Sequence, residues 1–358
     1  MKNEKITELL EKFQFDLPDD LIARYPPEKR GNSRLLVIRP DGGLEDSHIS
    51  KISLFLPKDS LIVKNNTRVS RRRIFLFRKT GGKIEVLFLK ITSQHSWECL
   101  IRGSGRLNEG EYLSHSSGIE FKFKRGRDPT RNYLEAFDKS GNRTLADYKS
   151  AEFFFERYGE MPIPPYLGRS SEELDKERYQ TIYAQNSGSI AAPTAGLHLT
   201  EEILLDLENR GFRHIDIELM IGYGTFAPLL PENFETSKLH EEMYSISKNS
   251  SALLNGNKNI IAVGTTTLRA LESNYREFGQ FQEGTFATSL FIYPPDTVKT
   301  TAGILTNFHL PGSSLYMLVS AYGGLDLMKR GYDHAIKNRY RFYSYGDAML
   351  ILRNNPRN

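Results

Sequence analysis

Residues 260–278 read IIAVGTTTLRALESNYREF, and the fold class follows from them. Four consecutive apolar residues, Ile260 to Val263, suit a strand covered on both faces, and Gly264 breaks the run. The stretch 268–278 then has helical spacing. Strand, turn and helix in so short a span form the repeating unit of a layered α/β domain. The flanking chain alternates in the same way. Residues 214–221 read as a strand, while Thr200 caps a helix with Glu201 and Glu202 in its first turn and Gly211 beyond its end. Near the N-terminus, 35–38 and 60–63 read as further strands.

The middle of the chain has a different texture. Lys83-Ile84-Glu85-Val86-Leu87-Phe88 follows the Gly81-Gly82 turn, and residues 119–124 alternate strictly between apolar and polar. With 73–79, 97–102 and 133–137, these predict a small antiparallel barrel or sandwich over 73–138. Residues 145–158 have helical spacing, and 161–166 (MPIPPY) form a stiff loop. Ser170-Ser171-Glu172-Glu173 has the pattern of a capping box. The expected organisation is an α/β domain (1–69 and 151–358) interrupted by an inserted β domain (70–150).

With 358 residues, 39% hydrophobic and 26% charged, the composition is that of an ordinary globular protein. A lone cysteine, Cys99, excludes an intrachain disulfide and a multi-cysteine metal site, and it fits a reducing cytoplasm. Residues 1–20 lack the apolar core of a secretion signal, and no run suits a membrane helix. Nothing demands a partner subunit, so a monomer is expected. The net charge is only +4, but Arg71, Arg72, Arg73, Arg78, Lys79 and Lys83 crowd one region. Arginine suits phosphate geometry, so this cluster is a candidate nucleic-acid contact; solvated strand faces are the alternative.

Three loops are candidates for chemistry: APTAGLH (192–198), VGTTTLR (263–269) and TNFHLPG (306–312). The last is approached by the apolar Phe291-Ile292-Tyr293. In open α/β sheets ligands collect beyond the carboxyl ends of strands, where such loops converge. Thr265 and Thr266 beside Gly264 offer donors at a helix start, with Arg269 one turn on. The same pattern also makes an ordinary threonine-rich helix cap. His198 and His309 are candidates for proton transfer, and equally for structural hydrogen bonding; His240 is a weaker third. No histidine has metal-ligand spacing, and neither a Walker A sequence nor G-x-G-x-x-G is present. No metal is expected. Arg24, Asn66, Arg68, Thr194, Gly196, Asn307 and the glycine-rich 222–226, with Gly222, Gly224 and Thr225, complete the candidate substrate-binding set.

Taken together, the ordered segments FDLPDDLIARYPPEKRGNSRLLV (15–37), NNTRV (65–69), TGGKIEV (80–86), MPIPPY (161–166), AAPTAGLH (191–198), VGTTTLRALES (263–273), TNFHLPGSSLYMLVSAYGG (306–324) and RFYSYGDAM (341–349) resemble the S-adenosylmethionine:tRNA ribosyltransferase-isomerase family of queuosine biosynthesis. The resemblance implies an α/β domain with an inserted β-barrel. It also implies transfer of ribose from S-adenosylmethionine to 7-aminomethyl-7-deazaguanine at the tRNA wobble position. The sugar would be isomerised to give epoxyqueuosine, with adenine and methionine released. S-adenosylmethionine is then a ribosyl donor, the basic stretch meets the anticodon stem-loop, and His198 or His309 handles a proton. Thr265, Thr266 and Arg269 would hold the methionine carboxylate or the ribose. Two segments depart from the family pattern. After NNTRV the chain has Ser70-Arg71-Arg72-Arg73 in place of I-P-A-R, and residues 237–242 read SKLHEE in place of H-x-M-H-S-E. The alternatives are an S-adenosylmethionine-dependent RNA methyltransferase and a non-catalytic RNA-binding protein.

Overall fold

A computed structural model describes residues 2–128, 131–222 and 229–354 and divides into two compact units. The first comprises Met1–Arg68, Pro164–Arg169 and Glu177–Asn358. Its sheet has the strand order Gly284–Leu290, Lys238–Ile246, Arg213–Leu219, Leu61–Asn65, Ile260–Val263, Gly303–Asn307, Ala348–Leu352, Arg34–Ile38, Leu44–His48. Arg213–Leu219, Leu61–Asn65, Ile260–Val263 and Gly303–Asn307 run parallel to one another. Both faces are covered, which accounts for the unbroken apolar runs: Val63, Ala262 and Ile304 enter one core cluster, and Ile62, Ile261 and Leu305 the other. The carboxyl ends of the parallel strands, at Leu219, Asn65, Val263 and Asn307, therefore open on one edge. Ala348–Leu352 runs antiparallel to Gly303–Asn307 and parallel to Arg34–Ile38. Ser33 and residues 344–347, which lead into those two strands, reach the same edge.

The helix after Ile260–Val263 starts at Thr265 and runs to Phe278, three residues earlier than its apolar spacing indicates. Gly264, at φ +96°, makes the sharp turn that places the threonines in the first helical turn. The approach to TNFHLPG also differs from expectation. It is the strand Gly303–Asn307, whereas Phe291-Ile292-Tyr293 is irregular, with Phe291 and Ile292 buried in the core. The apolarity of that segment reflects core packing rather than strand pairing. Ser171 does not cap the helix Glu173–Arg178; its hydroxyl donates to Glu160, and the Asp175 carboxylate accepts from Glu172 N.

The second unit is Val69–Ile163 with Ser170–Lys176. Its strands are ordered Arg143–Thr144, Asn132–Phe137, Trp97–Arg102, Lys83–Ile91, Arg73–Arg78, Tyr112–Ser114, Glu120–Lys124. Glu120–Lys124 pairs back onto Asn132–Phe137, which closes the barrel. Ile74, Val86, Phe88, Trp97, Phe121 and Leu134 fill its interior. The insertion extends past residue 150 because the helix Tyr148–Tyr158 packs Ala151, Phe154 and Phe155 into this core. Asp147 caps that helix by accepting from Ser150 N. Burial pushes the Cys99 thiol well above its ordinary pKa, so it is an inert core residue.

Candidate active site at the carboxyl edge of the sheet

The three quoted loops meet at this edge. Gly264 N donates to Leu305 O at 2.8 Å, and a Cβ on Gly264 would lie 3.8 Å from that of Ala195. Asn307 Nδ2 donates to His198 Nε2 and to Tyr343 O, each at 3.0 Å. Because a carbonyl can only accept, the second bond fixes the Asn307 amide. His198 must then be the Nδ1–H tautomer, donating to Ser33 Oγ at 2.9 Å. Asn307 Oδ1 is left buried and without a partner among the described residues. A buried acceptor without a partner is costly, so it calls for a hydrogen from a water or a ligand.

Tyr183 Oη and Thr181 Oγ1 are also buried and without partners among the described residues. A Cβ on Gly196 would lie 2.1 Å from Tyr183 Oη and 2.8 Å from Thr181 Cγ2, so close approach requires glycine there. Beside this group lies a recess of about 290 Å³ of empty space, mouth included, lined by Arg30, Ser33, Arg178, His198 and Tyr345 among others. Sequence reading passed over Arg30, Ser33, Arg178 and Tyr183, although Arg30 and Ser33 lie within the matched segment 15–37.

Both histidines are buried. Burial lowers His198 to about 4, with the charges of Arg341 and Arg30 adding to the effect. Burial alone lowers His309 to about 3; its Nε2 is 2.9 Å from Thr306 Oγ1 and its N–H donates to Tyr332 Oη. Each native pKa lies below the ordinary value of about 6.5, so the unfolded chain takes up protons that the native state refuses. Stability from these groups is complete above about pH 6.5 and falls as the pH drops toward 4, at up to about 2.7 kcal/mol per pH unit for two protons. The urea midpoint should fall over that window, and the fall should be shallower in His309→Asn. An equal slope in the variant would show that His309 titrates normally.

The remaining candidates are scattered or engaged. Arg269 forms a buried ion pair with Glu242, whose Oε1 also accepts from Gly222 N at 3.0 Å; burial lowers Arg269 to about 10. The hydroxyls of Thr265 and Thr266 have no partner among the described residues, whereas Thr267 donates to Val263 O. Thr194 begins the short turn Thr194–His198. Asn66 donates to Gln185, and its Oδ1 is buried without a partner among the described residues. Arg68 is exposed and donates to Ala184 O, and Arg24 is exposed with a long contact of 3.8 Å to Asp19. His240 is exposed on the strand Lys238–Ile246. Gly224 and Thr225 lie outside the described residues. Among the described residues no three His, Cys, Asp or Glu side chains are grouped as a metal site would need.

The basic cluster of the barrel unit is less free than its sequence suggests. Arg72 is buried and paired with Glu152, and Arg73 with Glu85 at 3.1 Å. Arg78 grips both oxygens of Glu111 at 2.7 and 3.1 Å. Lys79 and Lys83 are exposed, Lys83 lying 3.6 Å from the Phe75 ring centre, and Arg71 donates to Glu156 O.

Comparison with known proteins agrees with this architecture. A family model described as "queuosine biosynthesis protein" matches residues 10–351. An S-adenosylmethionine:tRNA ribosyltransferase-isomerase of Syntrophomonas wolfei is 41% identical, over 98% of this chain and 99% of its own. That of Staphylococcus haemolyticus is 39% identical over 96% and 99%. The crystal structure of the S-adenosylmethionine tRNA ribosyltransferase from Thermotoga maritima matches with a TM-score of 0.52 at 29% identity, over 95% of this chain and all of that one. With a matched model spanning nearly its whole length and relatives this similar from end to end, the chain belongs to the S-adenosylmethionine:tRNA ribosyltransferase-isomerase family of queuosine biosynthesis.

Proposed function

We propose that the carboxyl edge of the sheet is where this chain carries out its family's reaction. The ribosyl group of S-adenosylmethionine is transferred to 7-aminomethyl-7-deazaguanine at the wobble position of tRNA and isomerised to the epoxide, releasing adenine and methionine. The observation that carries the placement is the joining of two of the loops through Asn307 and His198, with the third tied in by Gly264 N to Leu305 O, and with buried polar atoms of Asn307, Tyr183 and Thr181 unpartnered among the described residues beside a recess. Such atoms suit a ligand rich in hydroxyl and amino groups, as a nucleoside is.

A neutral His198 with a pKa near 4 is a weak base, because proton transfer is most effective from a group titrating near the working pH. His198 is better suited to positioning: it holds Asn307 so that Oδ1 faces the ligand. His309 is locked to Thr306 in a similar way. Thr265 and Thr266 offer donors to the ribose or the methionine portion. The anticodon arm meets the barrel unit through Lys79, Lys83 and Arg71, with Arg72, Arg73 and Arg78 holding the surface that presents them. The chain acts as a cytoplasmic monomer. Among the described residues no helix is long and apolar enough to cross a membrane.

The test is a product assay with S-adenosylmethionine and tRNA carrying 7-aminomethyl-7-deazaguanine, read by mass spectrometry. Adenine, methionine and epoxyqueuosine should appear together, and not with unmodified tRNA. S-adenosylhomocysteine in place of adenine would indicate methyl transfer. RNA binding without turnover would leave a binding protein.

A further inference from the structure

Arg30 and Arg178 both line the recess at His198, and each is held by backbone carbonyls of the other's segment. Arg30 donates from Nη1 to Gln180 O at 2.8 Å and from Nη2 to Glu177 O at 3.1 Å. Arg178 donates back, from Nη1 to Glu28 O at 3.2 Å and from Nη2 to Pro27 O at 2.6 Å. The two arginines thus lace residues 27–30 to residues 177–180 through backbone carbonyls. Among the described residues neither has a carboxylate within the 4.0 Å of an ion pair. Arg72, Arg73, Arg78 and Arg269 each face a glutamate, whereas Arg353, like this pair, donates to backbone carbonyls, those of Thr301 and Val298. What sets Arg30 and Arg178 apart is that both line one recess. Arg30 is depressed by burial and then by Arg178, whose repulsion outweighs the attraction of Glu177. Two half-buried cations that repel one another across a recess are relieved by an anion between them. A guanidinium that has used one hydrogen at each Nη keeps further donors in its planar fork, which matches a carboxylate.

We infer that Arg30 and Arg178 form an oxyanion subsite that takes the α-carboxylate of S-adenosylmethionine, with the sulfonium and sugar lying toward His198 and Asn307. The inference rests on the donor substrate named above. It assigns the carboxylate to this pair and not to Arg269, whose charge Glu242 already balances. The recess is also lined by His198, which is bonded to Asn307, so an anion held there adjoins the buried polar atoms assigned to the donor, which favours the donor over an RNA phosphate.

The test measures binding of S-adenosylmethionine and of its decarboxylated analogue, which differs only by that group, to the full chain by calorimetry. The unaltered protein should bind the decarboxylated form at least about tenfold more weakly. In Arg30→Gln, Arg178→Gln and the double variant, affinity for S-adenosylmethionine should fall to that of the analogue. Affinity for a fluorescent anticodon stem-loop should stay within about twofold. Equal binding of the two ligands by the unaltered protein overturns the inference without any variant having to fold. Discrimination that persists in folded variants also overturns it, as does a loss confined to the RNA. Failure of the function itself would look different, as no S-adenosylmethionine binding and no adenine release from the unaltered enzyme.

Discussion

His198→Ala is expected to lower kcat/KM by about 10²-fold, whereas His198→Gln keeps it within about tenfold of the parent. The argument runs through Asn307. Its Nδ2 is shared between Tyr343 O and His198 Nε2, and that pair of acceptors determines which way Oδ1 points. Alanine removes one acceptor and leaves a cavity, so the amide can turn and present Nδ2 where the ligand needs an acceptor. Glutamine can set its Oε1 near the position of Nε2 and keep the amide oriented. If His198 transferred a proton instead, glutamine would be no better than alanine, and both would lose about 10²–10⁴. The pH dependence of kcat/KM gives a second reading. A group titrating near 4 leaves no inflection above about pH 5.5, so the profiles of parent and glutamine variant should overlay there. A glutamine variant as inactive as alanine, with a lost inflection near neutrality, would restore His198 as the acid or base.

Local patterns were legible in the sequence, and long-range pairings were not. IIAVGTTT announces its strand and turn because chain direction and apolar period are local properties, and the alternation of residues 119–124 marks a barrel strand for the same reason. The convergence of the Gly264 and Asn307 loops was foreseeable in outline, since loops following parallel strands share an edge. That of His198 was not, because the turn Thr194–His198 follows no strand of that sheet. The state of a charge was not foreseeable. Arg72 meets Glu152 eighty positions away, and Arg78 meets Glu111 thirty-three away, so a run of arginines that looks free is largely neutralised by folding. Arg30 and Arg178 show the converse: Arg30 lies within the matched segment 15–37 but nothing local singles it or Arg178 out, and their lack of carboxylate partners is a property of tertiary structure alone. Tyr183 escaped notice for a related reason. Its hydroxyl matters because Gly196 leaves room for it, which is a contact and not a motif.

Arg269→Met or Glu242→Leu alone should destabilise the α/β unit by about 3–5 kcal/mol, while the double variant should recover most of that loss. Both side chains are almost wholly buried, at 5% and 1% exposure. Removing either therefore leaves a charge in a medium that solvates it poorly, and that penalty exceeds the worth of the pair itself. Two further features raise the cost of losing Glu242. It follows a register shift between Lys238 and Glu242, and its Oε1 accepts from Gly222 N. Leucine would leave that amide without its carboxylate acceptor, so Glu242→Leu should be the worse of the two single changes. In urea the single variants should lose roughly 1 M or more in midpoint. The double variant should come back to within about 2 kcal/mol of the parent, the remainder reflecting the Gly222 amide. Strict additivity would mean the two groups do not act as a pair, and would return Arg269 to the set of cations available for substrate. Recovery of stability without recovery of turnover would have a different meaning. It would place the ion pair beside the reacting ligand, where its field rather than its contribution to folding is what the enzyme retains.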